Sequence, residues 1–350
     1  MTQISAKIIA DSKNEFGNRI TTMVVTFPRY ILAELNTHRM LSKNSASSRA
    51  IPFEKLLKSV EENPFIPIAW MKDHKGMQGS EYFESGINDL IDNHLRAKDS
   101  AIERAKEASA RGLTKQIVNR YLEPFMWHTV IITATELENF FALRCPQYAI
   151  EGSNTIFRSW KDYAYEKYNS DPEITIAELY KTPIIERLQL NKGQADIHMM
   201  ALAEAMWDAY NKSTPKELKA GEWHIPYEEE IKEMYDINQL VLDNDNIPVA
   251  AKIGSIMAAR ISYTVVGTEL SEWNINKYCT KFNELVTASP IHASPFEHCA
   301  PAMTELEYLN NIIITFDEKT KEIKKELGVS GNFRGFIQLR KMLPNENITK

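Results

Sequence analysis

The chain has 350 residues, 43% hydrophobic and 25% charged, an ordinary globular balance for one large or two smaller domains. A net charge of −6 excludes a general nucleic-acid-binding surface, so any anion site must be local. The three cysteines, Cys145, Cys279 and Cys299, form no CxxC pair, which argues against a disulfide framework and a zinc site. No apolar run reaches the roughly 18 residues of a membrane helix, and MTQISAKIIADSKNEF lacks the charged-then-apolar pattern expected of a secretory leader. The expectation is a cytoplasmic protein without membrane or nucleic-acid partners.

In chain order, residues 20–27 (ITTMVVTF) predict a strand ended by Pro28, and YILAELN carries Ile31, Leu32 and Leu35 at helical spacing. THRMLSKNSASSRA (37–50) is a poor helix, because Ser and Asn compete with the helix for backbone hydrogen bonds. Two arginines and several hydroxyls there suit the wall of a polar, anion-binding pocket. Residues 61–80 predict an ordered loop, and 88–111 a helix stopped by Gly112 with Leu95, Ala101, Ile102, Ala105 and Ala108 as its buried stripe. Thr114 caps a short helix ended by Pro124, 129–135 (TVIITAT) alternates as a strand, and 136–144 (ELENFFALR) is helical.

Residues 146–193 have the character of an insertion, and 194–210 (QADIHMMALAEAMWDAY) of a strong amphipathic helix. Residues 213–230 are linker-like, dividing the chain into a half over 1–230 and a second over 246–350. The second half offers IPVAAKIGSIMAARISY, a helix around 271–286, the turn-like SPIHASPFEH, a strand at 310–316 and NFRGFIQLRKMLPNE. Helices and strands mix without a βαβ rhythm, so the expected class is α+β with an antiparallel sheet. Neither GxGxxG nor GxxxxGK[ST] occurs. MVVTFPRYILAELNTHRMLSKNS and IIITF…NFRGFIQLRKMLPNEN share an order of strand then helix, with Arg340 in the place of Arg39 and Asn345 in that of Asn44, a weak internal echo.

Several of these stretches together resemble the flavin-dependent thymidylate synthases. Thr37-His38-Arg39, followed after seven residues by Ser47 and then Arg49, is similar to the family's Arg-His-Arg signature. NFFALR (139–144), QADIH (194–198), TKQIVNRYLEPF (114–125), AARISY (258–263) and SPFEH (294–298) resemble five further family segments. The last two follow the signature here and precede it in the family, so the chain resembles a permuted, or duplicated and trimmed, member.

The resemblance implies reductive methylation of dUMP to dTMP, with FAD as cofactor and methylenetetrahydrofolate and NADPH as co-substrates. It implies a homo-oligomer with sites at subunit interfaces. Arg144 would stabilise charge on the uracil ring; Glu34, Ser45, Ala46, Ser47, Ser48, Arg49 and Arg120 would hold the nucleotide. Thr37, His38, Arg39, Thr133, Thr135, Asn139, Ser262 and His298 would contact the flavin, and no metal is implied. Cys145 has no activating neighbour except Arg144 and reads as structural. Thr37 for Arg, Ser45 for Glu and Glu34 for Gln depart from the family. They leave two alternatives open: a different modification, such as hydroxymethylation, of another pyrimidine deoxynucleotide, or a nucleotide-binding homologue without turnover.

Overall fold

The computed structural model describes residues 2–75, 79, 81–168, 182–236, 240, 246–266 and 273–346. The class is α+β, with mixed helix and sheet. Its main sheet has five strands: β1 (Ser5–Asn14), β2 (Arg19–Pro28), β3 (Ser42–Ser45), β4 (Trp127–Ala134) and β5 (Lys216–Leu218), in the order β3-β4-β2-β1-β5. All pairings are antiparallel except the short parallel one of β1 with β5. β2 and β4 are rich in β-branched residues and buried on both faces, as central strands must be.

β1 was not foreseen. Its apolar run is only Ile8-Ile9-Ala10, and a register shift between Ile8 and Ala10 breaks its alternation. What fixes it is the turn that follows. Asn14 Oδ1 accepts the amides of Phe16 (3.1 Å) and Asn18 (2.9 Å), and Gly17 supplies φ +86°.

One face of the sheet is covered by α3 (Glu138–Arg144) and α4 (Ile197–Lys212), which pack Phe140, Phe141, Met199, Leu202 and Met206 onto Met23, Val25, Val130 and Ile132. Asp196 starts α4 by accepting the amides of His198 and Met199, so the helix begins three residues later than its apolar pattern does. The other face receives α5 (Val249–Arg260), backed by α6 (Ile275–Thr287), with Ala258 against Ile9 and Ile131. Two further helices, α1 (Phe53–Glu62) and α2 (Ile87–Ala110), form a cluster beside β3 and β4 with Val118, Leu122 and Phe125.

Residues 115–125 become one α-turn and then a 3-10 stretch running through Pro124. The insertion over 146–193 holds a two-residue hairpin and two helices, Trp160–Tyr168 and Ile184–Leu190; its middle lies outside the described residues. The two echo stretches take different structures. Ile312–Asp317 pairs only with Glu322–Leu327, outside the main sheet, and 332–346 is helical only at Leu339–Met342. Gly335 (φ +71°) and the turned-in Gln338 interrupt a longer helix there. Among the described residues no helix is long and apolar enough to cross a membrane.

A row of hydroxyls crosses the buried sheet. Thr22, Thr133 and Ser42 are direct register partners on β2, β4 and β3, each at most 1% exposed. Such groups are costly in a core unless bonded. Each is met by a side chain from the covering layer: His224 Nε2 at 2.8 Å from Thr22, His298 Nδ1 at 2.8 Å from Thr133, and Gln338 Nε2 donating to Ser42 at 3.0 Å. Thr22 and Thr133 also bond each other at 2.7 Å. Thr133→Val keeps the shape and strands both neighbours, so it is expected to cost about 1–3 kcal/mol in denaturant unfolding. A loss below about 0.5 kcal/mol, the scatter of such measurements, would mean the row contributes no stability.

Candidate nucleotide-binding groove

Strand β3 is the centre of the site because its side chains alternate between faces. Asn44 points to the α5 side. Its Nδ2 donates to Ala258 O at 2.7 Å, and its Oδ1 accepts from Ser294 at 3.3 Å and Ser262 at 3.4 Å. Just beyond, Ser47 N donates to Ser262 O and Ala46 N to Thr129 O, both at 3.0 Å. Three segments far apart in sequence, 42–48, 258–263 and 294–298, therefore meet on one asparagine within one chain.

They border two adjoining cavities. The smaller, about 370 Å³, is lined by Ala46 and Ser48, by Lys55, Lys58 and Ser59 of α1, and by Arg29, Trp127 and His128. The larger, about 700 Å³, is lined by Asn44, Ser262, Tyr263, Arg260, Trp273, Lys281, His292 and Ser294. Lys55 and Thr264 belong to both walls.

The smaller chamber is cationic. Arg29, Lys55 and Lys58 face Glu62 as its one described acidic lining residue, and Glu62 pairs with Lys58 at 3.8 Å. Arg29 is held in place, donating to His128 Nε2 at 2.9 Å and pairing with Glu123 at 3.4 Å. Ser48 donates to the same Glu123 oxygen at 2.9 Å. Because Nε2 of His128 accepts, its proton sits on Nδ1, and burial with Arg29 beside it pushes its pKa down to about 3, so the ring stays neutral. Trp127 Nε1 is buried and has no acceptor among the described residues.

Arg49 and Arg120 are exposed, outside both chambers, on elements clamped together. Asn119 Nδ2 donates to Ser48 O (2.6 Å) and Ile51 O (3.0 Å), and Lys115 Nζ donates to Ala50 O (2.9 Å). Arg120 Nε donates to the Gln116 carbonyl one turn earlier at 3.2 Å. Ser45 is half-buried opposite Val130.

Arg144 lies outside both chambers as well. It forms an ion pair with Glu34 and donates from Nε to His38 Nε2 at 2.9 Å. The His38 pKa is lowered by burial and then by Arg144 and Lys43. Lys43, on β3 and facing away from Asn44, donates to His38 O at 2.6 Å; burial lowers its pKa to about 8 against the opposing pull of Glu297. Thr37 and Arg39 are exposed, Thr37 donating to Glu34 O. Asn139 is exposed on α3, and Thr135 accepts the Arg334 amide at 3.0 Å. Cys145 is buried, which pushes its thiol up. Among the described residues no group of three or more His, Cys, Asp or Glu is placed to hold a metal ion.

Thr133 and His298 are sealed in the hydrogen-bonded row, which ends on Ser12 at 2.9 Å from His224 Nδ1. His298 Nε2 is buried without a partner among the described residues. A buried unpaired N–H is the more costly orphan, so the proton belongs on Nδ1, donated to Thr133. Thr133 then donates to Thr22, Thr22 to His224 Nε2, and His224 Nδ1 to Ser12.

Lys55, Arg29, Arg260 and Trp273 were missed by the sequence reading. Arg260 stands inside AARISY, but nothing local marks Lys55 among the surface lysines of an amphipathic helix.

No family model matches this chain, and no curated protein matches it. Among the solved structures that are similar are two of PolB, a UMP/dUMP methylase from Streptomyces cacaoi. The one bound with 5-Br dUMP is 13% identical, covers 60% of this chain and 91% of its own, and gives a TM-score of 0.40. The one bound with 5-Br UMP is 14% identical, with 61% and 90% coverage and a TM-score of 0.41. Likeness at this level assigns no function.

Burial holds the pKa of His224 down to about 4 and that of His298 to about 3, the latter helped by His224. In the unfolded chain both titrate near 6.5. Between these values the unfolded state binds more protons, so stability is full above about pH 6.5 and falls as pH drops toward 4. The urea midpoint is expected to fall between pH 7.5 and 5, and the double variant His224→Asn, His298→Asn to lose much of that slope. An unchanged slope would place the acid sensitivity elsewhere.

Proposed function

We propose that the chain binds a pyrimidine nucleoside monophosphate in the smaller chamber and modifies its base. Reductive methylation of dUMP to dTMP, with methylenetetrahydrofolate and NADPH, is the reaction its motifs imply. The observation that supports this is the meeting of 42–48, 258–263 and 294–298 on Asn44, where they border a cation-lined chamber. Lys55, Lys58 and Arg29 suit a phosphate through charge-assisted hydrogen bonds.

The residues expected to hold FAD do not form one cradle in this chain. Thr133 and His298 are sealed in the core, and His38 is bonded to Arg144. Thr37, Arg39 and Asn139 are exposed outside the groove, and Thr135 is bonded to Arg334; only Ser262 lines a chamber. No flavin step follows from this arrangement. Arg144 reaches a nucleotide only if a second copy presents it, which is the shared-site oligomer that the motifs imply. The occupied Arg144 and the sealed Thr133 and His298 favour one second reading: nucleotide binding without turnover.

Calorimetry with dUMP separates these. Wild type is expected to bind it, and Lys55→Ala to bind about tenfold or more weakly, the worth of one charge-assisted hydrogen bond. No binding would remove the nucleotide reading. If sites are shared between copies, mixing inactive Lys55→Ala with inactive Arg144→Ala recovers turnover. Recovery would exclude the binding-only reading; wild type that binds dUMP and forms no product with FAD, folate donor and NADPH would favour it.

A further inference from the structure

The hairpin of Ile312–Asp317 and Glu322–Leu327 lies outside the main sheet and is largely exposed on both faces. Its register divides it by chemistry. Ile312, Ile314 and Phe316 stand opposite Leu327, Lys325 and Ile323 on one face. Ile313, Thr315 and Asp317 stand opposite Glu326, Lys324 and Glu322 on the other. The first face is apolar but for Lys325, with Ile314 66%, Phe316 58% and Ile323 67% exposed. The second is polar but for Ile313 and carries the Asp317–Lys324 ion pair at 3.1 Å. A two-stranded hairpin is marginal by itself; further strands or a covering helix are what stabilise one. Its root, in contrast, is firmly tied. The Arg334 guanidinium donates to Leu327 O and pairs with Glu136 at 3.4 Å, and its amide donates to Thr135 Oγ1 at 3.0 Å. Just before the hairpin, the Tyr308 ring stacks on Phe16 at 4.0 Å.

The geometry points to a docking arm for a second copy of this chain: the free edges of two Ile312–Asp317 strands pair antiparallel about a twofold axis and make one four-stranded sheet. The two edges of the hairpin are not equivalent. Directly opposite residues of an antiparallel pair share a face, so twofold pairing sets one residue against its own copy. Centred on Ile314, the pairing sets Ile312 against Phe316 of the second copy and Ile314 against itself, all on the apolar face. Ile313 then meets Thr315, and no like charges meet. The Glu322–Leu327 edge has no such register. Centred on Lys324 or on Lys325, it sets two lysines directly opposite, which is destabilising. Lysines on an edge strand bar further pairing. Once the Ile312–Asp317 edges are joined, the lysine-bearing edges face outward, so the assembly closes at two hairpins and does not grow. This surface is separate from the nucleotide groove. The smaller chamber is lined by Trp127–Thr129 at one end of β4, and the arm is tied at Thr135 beyond the other, roughly 25 Å away at ~3.3 Å per residue. The inference goes beyond the nucleotide reading and does not rest on it.

The test weighs the intact protein by light scattering during size-exclusion chromatography at micromolar concentration. Wild type is expected to run as an even-numbered oligomer. Ile314→Lys sets two like charges opposite each other and is expected to halve that mass. Ile323→Lys lies on the same face but away from the pairing edge, and is expected to keep the wild-type mass. Halving by both variants would mean that the apolar faces stack, and would overturn edge pairing. Ile314→Cys is expected to form a disulfide-linked dimer under mild oxidation, with wild type as the blank for the native cysteines. Thr315→Cys, opposite Ile313 of the second copy, is expected to form none; a crosslink through Thr315→Cys alone overturns the register. A monomeric wild type, or Ile314→Lys at the wild-type mass, overturns the arm. Because Ile314 is exposed and far from the groove, its variants should fold and bind dUMP within about twofold of wild type. A monomer that binds dUMP removes the arm alone; a dimer that does not bind it removes the nucleotide reading alone.

Discussion

The hydroxyl row across β2, β4 and β3 is the constraint on which the rest depends. Thr22, Thr133 and Ser42 lie where a sheet would ordinarily carry valine or isoleucine. Buried hydroxyls without partners would oppose folding, so the layer covering them must bring His224, His298 and Gln338 to fixed places. An apolar interface slides at little cost; a set of hydrogen bonds in a low-dielectric interior has one register. That register holds the C-terminal segments against the edge of the sheet, and the groove forms where they meet β3.

The alternation of β3 then divides the chemistry. Ser42 and Asn44 face the covering layer, where Asn44 gathers Ser262, Ser294 and Ala258. Lys43 faces the other way, toward His38, Arg144 and Glu34. A single short strand thereby separates a cation-lined groove from a compact charge cluster. Residues that the signature places side by side in sequence end on opposite faces of a sheet, because successive side chains of a strand point oppositely.

Electrostatics follows the same division. The chain is acidic overall, yet the groove collects Arg29, Lys55, Lys58, Arg260 and Lys281, with Glu62 its one described acidic lining residue. A local cationic surface on an anionic protein favours small anions without attracting nucleic acid generally. Arg144, in contrast, is already matched by Glu34.

Much of this was legible in the residues. The β-branched runs of β2 and β4, the Gly112 stop, the apolar face of α4 and the unsuitability of 37–50 for a helix are local properties, set by propensity and periodicity, and the structure follows them. β1 was not legible, because a short apolar run with a bulge carries little periodic signal; the Asn14–Gly17 turn and the pairing with β2 decide it. The likeness between 23–45 and 312–347 did not survive folding, because similar patterns were met by different partners. Lys55 and Trp273 join the groove only through tertiary placement: nothing in their own neighbourhoods distinguishes a wall from a surface. The amino-acid sequence determined which segments carry cations, hydroxyls and turns. Only the tertiary structure decided which of them share a cavity, because that depends on strand register and on buried hydrogen bonds between residues up to 321 positions apart.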